Sequence, residues 1–147
     1  MPTDYVGADF DEGEMIGDGV VITCKAGASI TKGRLVKLSD ATDLTVAQIS
    51  TAKDPPFGVA MKAASAAGEY IPICVRGVVK MKLGTVTGTL VAGSAVLSNN
   101  AGLPEALADQ AVNEAGSATY TIYYNAKAGV TLQSGVTGDL ILILVGK

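Results

Sequence analysis

The sequence predicts an all-β protein: a single compact barrel or sandwich of about ten short strands, with an internal pseudo-repeat and at most one short helix. Three observations predict this class. Valine and isoleucine are abundant while long helix-forming segments are rare, which favours sheet over a helix bundle. Glycines and small residues bound short apolar runs, and such runs are typical of strands. The third observation is that one β-motif occurs twice.

The duplicated motif is clearest around residues 57–77, where two apolar runs flank a small-residue loop that ends at Gly68-Glu69. The segment that begins at Gly68 aligns, at an offset of 70, with the segment that begins at Gly138. Upstream, residues 30–36 align with residues 90–96 at an offset of 60. Two matches in the same order predict a β-motif written twice, with a longer loop in the second copy.

In the first half of the chain, apolar runs bounded by Gly, Asp or Pro predict strands at residues 20–25, 33–38, 44–49, 57–61 and 70–75. Leu35 is out of phase with Arg34 and Val36, so we expect this strand to be covered on both faces. Pro72 lacks an amide donor, which predicts that its strand lies at a sheet edge or carries a bulge there.

In the second half, the same signals predict strands at residues 78–82, 90–97, 120–125 and 140–145. Residues 140–145 are apolar at every position, which indicates a central strand covered on both faces. Residues 104–111 begin with Pro-Glu and contain good helix formers, so a short helical turn is expected there. These residues open a long insertion, 104–130, that carries a cluster of tyrosines.

The length of 147 residues predicts one domain, which we place at residues 20–147 behind an acidic, extended N-terminal arm at residues 1–19. The arm shows no periodicity, yet Tyr5 and Phe10 are costly to leave in water, so we expect it to order on a neighbouring molecule. The alternative is a frayed terminus. No apolar run is long enough to span a bilayer, and no secretory signal is recognisable, which indicates the cytosol or an assembly built there.

Charge is segregated along the chain behind a net charge of −3. Residues 1–24 carry six acids and no base, whereas residues 25–82 carry nine bases and four acids. Arg76, Lys80 and Lys82 share a parity, which places them on one face of a continuous strand that the acidic arm of a neighbouring copy would complement. A solvated strand edge is the alternative. The candidate contact residues are Tyr5, Phe10, Asp11, Glu12, Glu14, Arg76, Lys80 and Lys82.

The composition argues against catalysis. The chain has no histidine, which removes the Ser-His-Asp and Cys-His nucleophile arrangements. Cys24 and Cys74 are far apart in sequence and each lies in an apolar run, so we expect two reduced, buried thiols rather than a metal site or a disulfide. Neither nucleotide-binding glycine motif occurs, and the acids of the arm do not follow a calcium-loop pattern. We therefore predict no catalytic residue, no metal and no cofactor.

The chemistry of the basic stripe argues against nucleic acid as a partner, because Val, Met and Cys surround the stripe where single-strand binders place aromatic residues. The sequence pI of about 4.8 argues in the same direction. We therefore expect neither nucleic acid nor membrane as a partner.

Three segments, taken in order, resemble the head decoration (capsid cement) proteins of tailed phages and related viruses. They are residues 26–38 (AGASITKGRLVKL), residues 56–60 (PFGVA) and residues 67–78 (AGEYIPICVRGV). Residues 90–96 and 138–145 fit the later parts of the same pattern. The resemblance covers residues 20–147, and neither the arm nor the insertion belongs to it.

The resemblance implies a β-rich homotrimer on the outside of a virus head, made in the host cytoplasm, that clamps neighbouring major capsid subunits after the shell expands. It carries over no catalytic residue. Two other classes stay open: another virion part, such as a tail or spike component, and a small-molecule-binding module built around Tyr120, Tyr123 and Tyr124.

Overall fold

A computed structural model describes residues 9–107 and 126–146 of the chain. This part is all-β: nine strands form one sheet and no helix occurs, which confirms the predicted fold class. The strand predicted at residues 120–125 lies outside the described residues. The nine strands are β1 Met15–Ala26, β2 Leu35–Asp40, β3 Thr45–Gln48, β4 Gly58–Ala60, β5 Tyr70–Lys82, β6 Ala95–Ser98, β7 Pro104–Ala106, β8 Lys127–Thr131 and β9 Leu140–Val145.

The first five strands close into a small barrel. Along the sheet β1 is followed by β3, β2, β4 and β5, and β5 pairs back with β1. The β1–β3 pairing is parallel and joins Ala26 to Val46, whereas the other four pairings are antiparallel. Because every strand has two neighbours, the ring has no fully open sheet edge.

A second barrel uses the C-terminal half of β5 together with β9, β8, β6 and β7. Its pairings are all antiparallel. The amide of Gly84 closes the ring with a hydrogen bond of 2.8 Å to the carbonyl of Pro104, as the amide of Gly27 bonds the carbonyl of Val46 at 2.9 Å in the first barrel. Strand β5 therefore belongs to both barrels.

The register of the strands confirms the predicted repeat. Val36 pairs with Gly58 and Val96 pairs with Gly129, which reproduces the offset of 60 between β2 and β6. Ile73 pairs with Ala60 and Ile143 pairs with Thr131, which reproduces the offset of 70 between β5 and β9. Two further equivalences appear only in the structure: β4 matches β8 at an offset of 71, and β1 matches the second half of β5 at an offset of 57.

The turns repeat as closely as the strands. In the first barrel Ile30 and Ala64 form an isolated bridge with two hydrogen bonds of 2.9 Å, and Leu90 and Gly135 form the same bridge in the second. Gly33 and Gly93 occupy equivalent turns at φ of 85° and 89°, a region that L-residues with side chains rarely adopt. The bridge therefore closes the same end of each barrel.

Each barrel has its own apolar interior. The first is filled by the inward side chains of its five strands, among them Cys24, Val36 and Ile73. The second is filled by their counterparts, among them Met81, Val96 and Ile143. Both cysteines are free and buried, as predicted. Burial is the main cause that raises the pKa of the Cys24 and Cys74 thiols, so both stay protonated and poorly nucleophilic at neutral pH.

Two expectations for single strands are wrong. Strand β5 has neighbours on both sides, so Pro72 is at neither an edge nor a bulge; the register irregularities of the β1–β5 pairing lie near Val20 instead. The missing donor of Pro72 is tolerated because the β4 ladder ends at Ala60, beyond which only the Met61 amide bonds the Pro72 carbonyl, at 2.9 Å. Of the segment predicted as a helical turn, residues 104–106 form β7 because they pair with β6, and residues 108–111 lie outside the described residues.

The expectation for β9 is half right. The strand is central, between β5 and β8, yet its outward residues Leu140 and Leu144 are 40% and 44% exposed. The sequence predicted cover on both faces. Leu142, the outward residue between Leu140 and Leu144, is only 5% exposed, so the outer side of β9 is open to solvent at its two ends.

Glu69 and Asp139 stabilise equivalent turns. The Glu69 carboxylate accepts hydrogen bonds from the amides of Ser65 and Ala66, and Asp139 accepts one from Val136 at 2.9 Å. The amide of Ala66, followed by that of Ser65, holds the pKa of Glu69 below its usual range.

Glu69→Gln is expected to lower the unfolding midpoint at neutral pH, because the ionised carboxylate binds these amides better than a neutral amide oxygen does. A depressed pKa contributes stability above the carboxyl's unfolded pKa, and this contribution is lost as pH falls through the folded value. Urea unfolding at pH 7 and then at pH 5 to 2 should therefore show a gap between wild type and Glu69→Gln that narrows towards acid. A gap independent of pH would contradict this role.

Candidate functional site

The N-terminal segment, residues 9–14, runs back onto the barrels of its own chain. The amide of Gly13 donates to the carbonyl of Lys80 at 2.7 Å, and the amide of Lys80 donates to the carbonyl of Glu14 at 2.9 Å. Strand β1 then begins at Met15, so residues 15–19 of the predicted arm belong to the sheet. Only residues before 15 precede the sheet, and residues 1–8, with Tyr5, lie outside the described part.

A partly buried ion pair links this segment to the first barrel. Glu12 Oε1 lies 3.9 Å from Nε of Arg34, and both atoms are buried without a hydrogen-bond partner within the described residues. Nη1 of Arg34 also donates to the carbonyl of Ala101, at 3.0 Å, in the β6–β7 loop of the second barrel. Arg34 therefore connects the N-terminal segment, the first barrel and the second barrel.

The predicted basic stripe does not form one exposed face. Arg76 and Lys82 are exposed, whereas Lys80 is only 3% exposed, so this part of the prediction is wrong. Lys80 pairs with Leu142, whose outward side chain is also only 5% exposed, so this part of the outer face is covered. Of the predicted acidic residues, Asp11 is exposed while Glu12 and Glu14 are half-buried, as is Phe10.

A cleft with a volume of about 310 Å³ lies where the two barrels meet. Phe57 and Val75 belong to the partly buried lower end of the first barrel, opposite the end closed by the Ile30–Ala64 bridge. Ala128 and Val145 are their counterparts in the second barrel. Arg76 supplies the charged side chain of an otherwise apolar lining. The cleft is lined by Leu35, Pro56, Phe57, Gly58, Val75, Arg76, Ala128, Val145 and Gly146.

Large exposed apolar side chains occur on both barrels, five on each among the described residues. On the second barrel, Leu132 and Leu144 are each 44% exposed, and Val91, Val136 and Leu140 are exposed as well. An apolar face of this kind on a folded protein indicates a protein-protein contact. Sequence reasoning missed these residues because an apolar strand residue is normally assigned to the core.

The described residues offer little for other functions. They contain no group of three or more His, Cys, Asp or Glu side chains placed to hold a metal ion. Among these same residues no helix is long and apolar enough to cross a membrane. The tyrosines proposed for a small-molecule pocket, Tyr120, Tyr123 and Tyr124, lie outside the residues that the structure describes.

Together the fused barrels, the apolar cleft and the apolar outer face define a β-structural protein whose described surface is suited to contacts with other proteins. The chain belongs to the phage cement protein family, whose model matches residues 15–139. It is therefore a head-associated structural protein of a phage virion, on the capsid exterior. The family predicted from the motif order is confirmed, and the match begins at the first residue of β1.

A solved structure shares the fold. The N base of head fiber gp8.5 of bacteriophage phi29 superposes with a TM-score of 0.60 at 14% sequence identity, over 86% of this chain and 93% of that chain. A search of curated proteins found no match.

Proposed function

We propose that this chain binds the outside of the assembled phage head as a homotrimer and stabilises the contacts between neighbouring major capsid subunits. Membership of the cement protein family is the observation that carries this proposal. The exposed apolar face of the second barrel supports self-association, because monomeric proteins seldom leave such a face in water. Many modest contacts spread over one shell then act multivalently, so that each site needs little affinity of its own.

We further propose that the extreme N-terminus, with Tyr5 and Phe10 as apolar anchors, docks on a neighbouring chain or on the capsid floor. The Glu12 carboxylate pairs with Arg34, and the backbone of Gly13 and Glu14 bonds that of Lys80 in the same chain, so residues 12–14 serve the fold as well. Arg76 and Lys82 remain exposed and available to an acidic partner. The docking role therefore falls mainly on residues 1–8 and on Phe10.

Deletion of residues 1–8 is expected to leave the unfolding midpoint unchanged and to weaken binding to expanded, empty heads by at least about tenfold, since one anchor per site is lost from a multivalent attachment. Head occupancy is measured by co-sedimentation over a concentration series. The deletion stops before Glu12, so the ion pair to Arg34 is kept.

Tyr5→Ala provides the finer version of this experiment, with Tyr70→Ala as its matched control because Tyr70 is 70% exposed on the barrel itself. We expect Tyr5→Ala to reduce occupancy and Tyr70→Ala to leave it unchanged. Full occupancy after removal of residues 1–8 would reject the docking role of the N-terminus while leaving the cement function in place.

A second candidate is that the chain forms the base of another appendage on the head, which its fold likeness to a head-fiber base favours. Negative-stain images of heads decorated with the purified chain separate the two. Discrete knobs and greater resistance of the heads to heat support the cement function, whereas knobs without any gain in heat resistance favour an appendage base.

A further inference from the structure

The junction between the two barrels uses an outer face of the first. Leu35, Val59 and Cys74 are cross-strand neighbours on β2, β4 and β5, and their side chains point away from the interior of the first barrel. All three are nevertheless fully buried, in one apolar cluster with Ala128 and Val145 of the second barrel. The outer face of the first barrel therefore covers the lower end of the second.

The repeat places an equivalent outer face on the second barrel. Ala95 pairs with Val130 and Val130 with Leu144, which is the same register as Leu35 with Val59 and Val59 with Cys74. This second face is as apolar as the first. Its members are not buried: Leu144 is 44% exposed, and Ala95 and Val130 are half-buried.

The barrel end that receives such an outer face also occurs twice, once covered and once partly exposed. Ala128 and Val145, which receive the outer face of the first barrel, are 5% and 3% exposed. Their counterparts in the first barrel are Phe57 and Val75, which are only partly buried and line the 310 Å³ cleft. Within one chain, the outer face of the first barrel packs on the end of the second barrel. The equivalent outer face of the second barrel and the equivalent end of the first barrel have no such contact and are partly exposed.

We propose that the outer face of the second barrel of one copy, built on Val130 and Leu144, packs against the cleft end of the first barrel of another copy, at Phe57 and Val75. This contact repeats between chains the junction that exists within the chain. The inference rests on the self-association of the proposed function and names the surfaces that produce it. Because the two surfaces differ, the contact is head-to-tail, which is the kind of contact that builds a cyclic trimer when the rotation between copies closes.

The repeat also identifies a residue pair across the new interface. Cys74 Sγ lies 3.3 Å from the position of a Cβ on Gly77, at the start of the second unit. Cys74 corresponds to Leu144, and Val78 corresponds to Val21 at the offset of 57, so Gly77 matches Val20 by chain position, next to a register shift between Val20 and Val21. Val20 is 50% exposed, although it is apolar and lies within a strand. The geometry therefore puts Leu144 of one copy beside Val20 of the next.

Leu144→Asp tests the face, and Leu140→Asp is its matched control. Both residues are leucines on the outer side of β9 with similar exposure, at 44% and 40%. The counterpart of Leu144 is the fully buried Cys74, whereas that of Leu140 is the exposed Tyr70, so only Leu144 belongs to the interface. We expect Leu144→Asp to weaken self-association by roughly 100-fold, because it buries an unpaired carboxylate in an apolar contact, and Leu140→Asp to leave it within about twofold.

Light scattering and sedimentation of the full chain over a concentration series measure this effect, with thermal unfolding to confirm that both variants fold. A wild-type trimer that persists in Leu144→Asp would overturn the face assigned here and leave the proposed trimer standing. A wild-type chain that stays monomeric at all concentrations would overturn both.

A cross-link gives an independent readout. The double variant Val20→Cys/Leu144→Cys is expected to form disulfide-linked multimers under mild oxidation, whereas Val20→Cys/Leu140→Cys is expected to remain uncrosslinked. Cys24 and Cys74 are buried and do not interfere. Equal cross-linking of both pairs would contradict the proposed register.

Discussion

Gly129→Ala is expected to destabilise the protein by at least about 3 kcal/mol, because its methyl group has no space between β8 and β9. A Cβ at this position would lie 2.2 Å from the carbonyl oxygen of Leu144 and 3.0 Å from its carbonyl carbon. These are backbone atoms of the neighbouring strand, so the clash is relieved only by separating β8 from β9. The repeat provides a second instance: a Cβ at Gly58 would lie 2.5 Å from the carbonyl oxygen of Cys74.

Urea unfolding followed by circular dichroism measures this loss, with Val130→Ala as the control at the next residue. Val130 is half-buried on the open face, so its truncation is expected to cost about 1 kcal/mol. Since β5 belongs to both barrels, Gly58→Ala and Gly129→Ala should each shift one common transition. A Gly129→Ala protein within 1 kcal/mol of wild type would show that the strands separate easily.

The sequence revealed the repeat where the chain turns, because turn geometry restricts residue type. Gly33 and Gly93 adopt the same left-handed conformation, and Glu69 and Asp139 accept hydrogen bonds from the turns that precede them. Such local requirements leave a visible pattern in the residues. The equivalence of β1 with the second half of β5 leaves no comparable pattern. Strand β5 belongs to both barrels, and the sequence matches it only to β9.

The candidate site was harder to predict, because burial depends on which element covers a face. The alternation of Arg76, Lys80 and Lys82 correctly describes a strand, but nothing near Lys80 in sequence shows that residues 13–14 run beside it. The prediction for β9 failed in the opposite direction, because it expected burial where a residue is exposed. The continuous apolar run of β9 is typical of a strand that is covered on both faces, yet Leu144 is 44% exposed.

Leu35→Ala is expected to cost about 2 to 5 kcal/mol, the usual range for truncating a fully buried leucine. Leu35 lies where the two barrels meet: its side chain is 0% exposed, and its amide donates to the carbonyl of Gly102 in the β6–β7 loop at 2.8 Å. The repeat supplies the matched control, because the equivalent residue on the second barrel is already an alanine, Ala95. Leu35→Ala removes a leucine side chain from a covered face, whereas Ala95→Leu adds one to an open face. We therefore expect Ala95→Leu to change the unfolding free energy of the isolated chain by less than about 0.5 kcal/mol.

The two substitutions therefore separate the junction from the barrels. If the junction couples the barrels, Leu35→Ala lowers the midpoint of a single unfolding transition, and a second transition appears when the contact becomes too weak to hold both barrels together. Calorimetry and urea unfolding of the two variants at low protein concentration, where copies do not associate, make the comparison. Equal effects of Leu35→Ala and Ala95→Leu on stability would mean that the two outer faces are alike in the isolated chain. That result would contradict the difference in burial on which the proposed contact between copies depends.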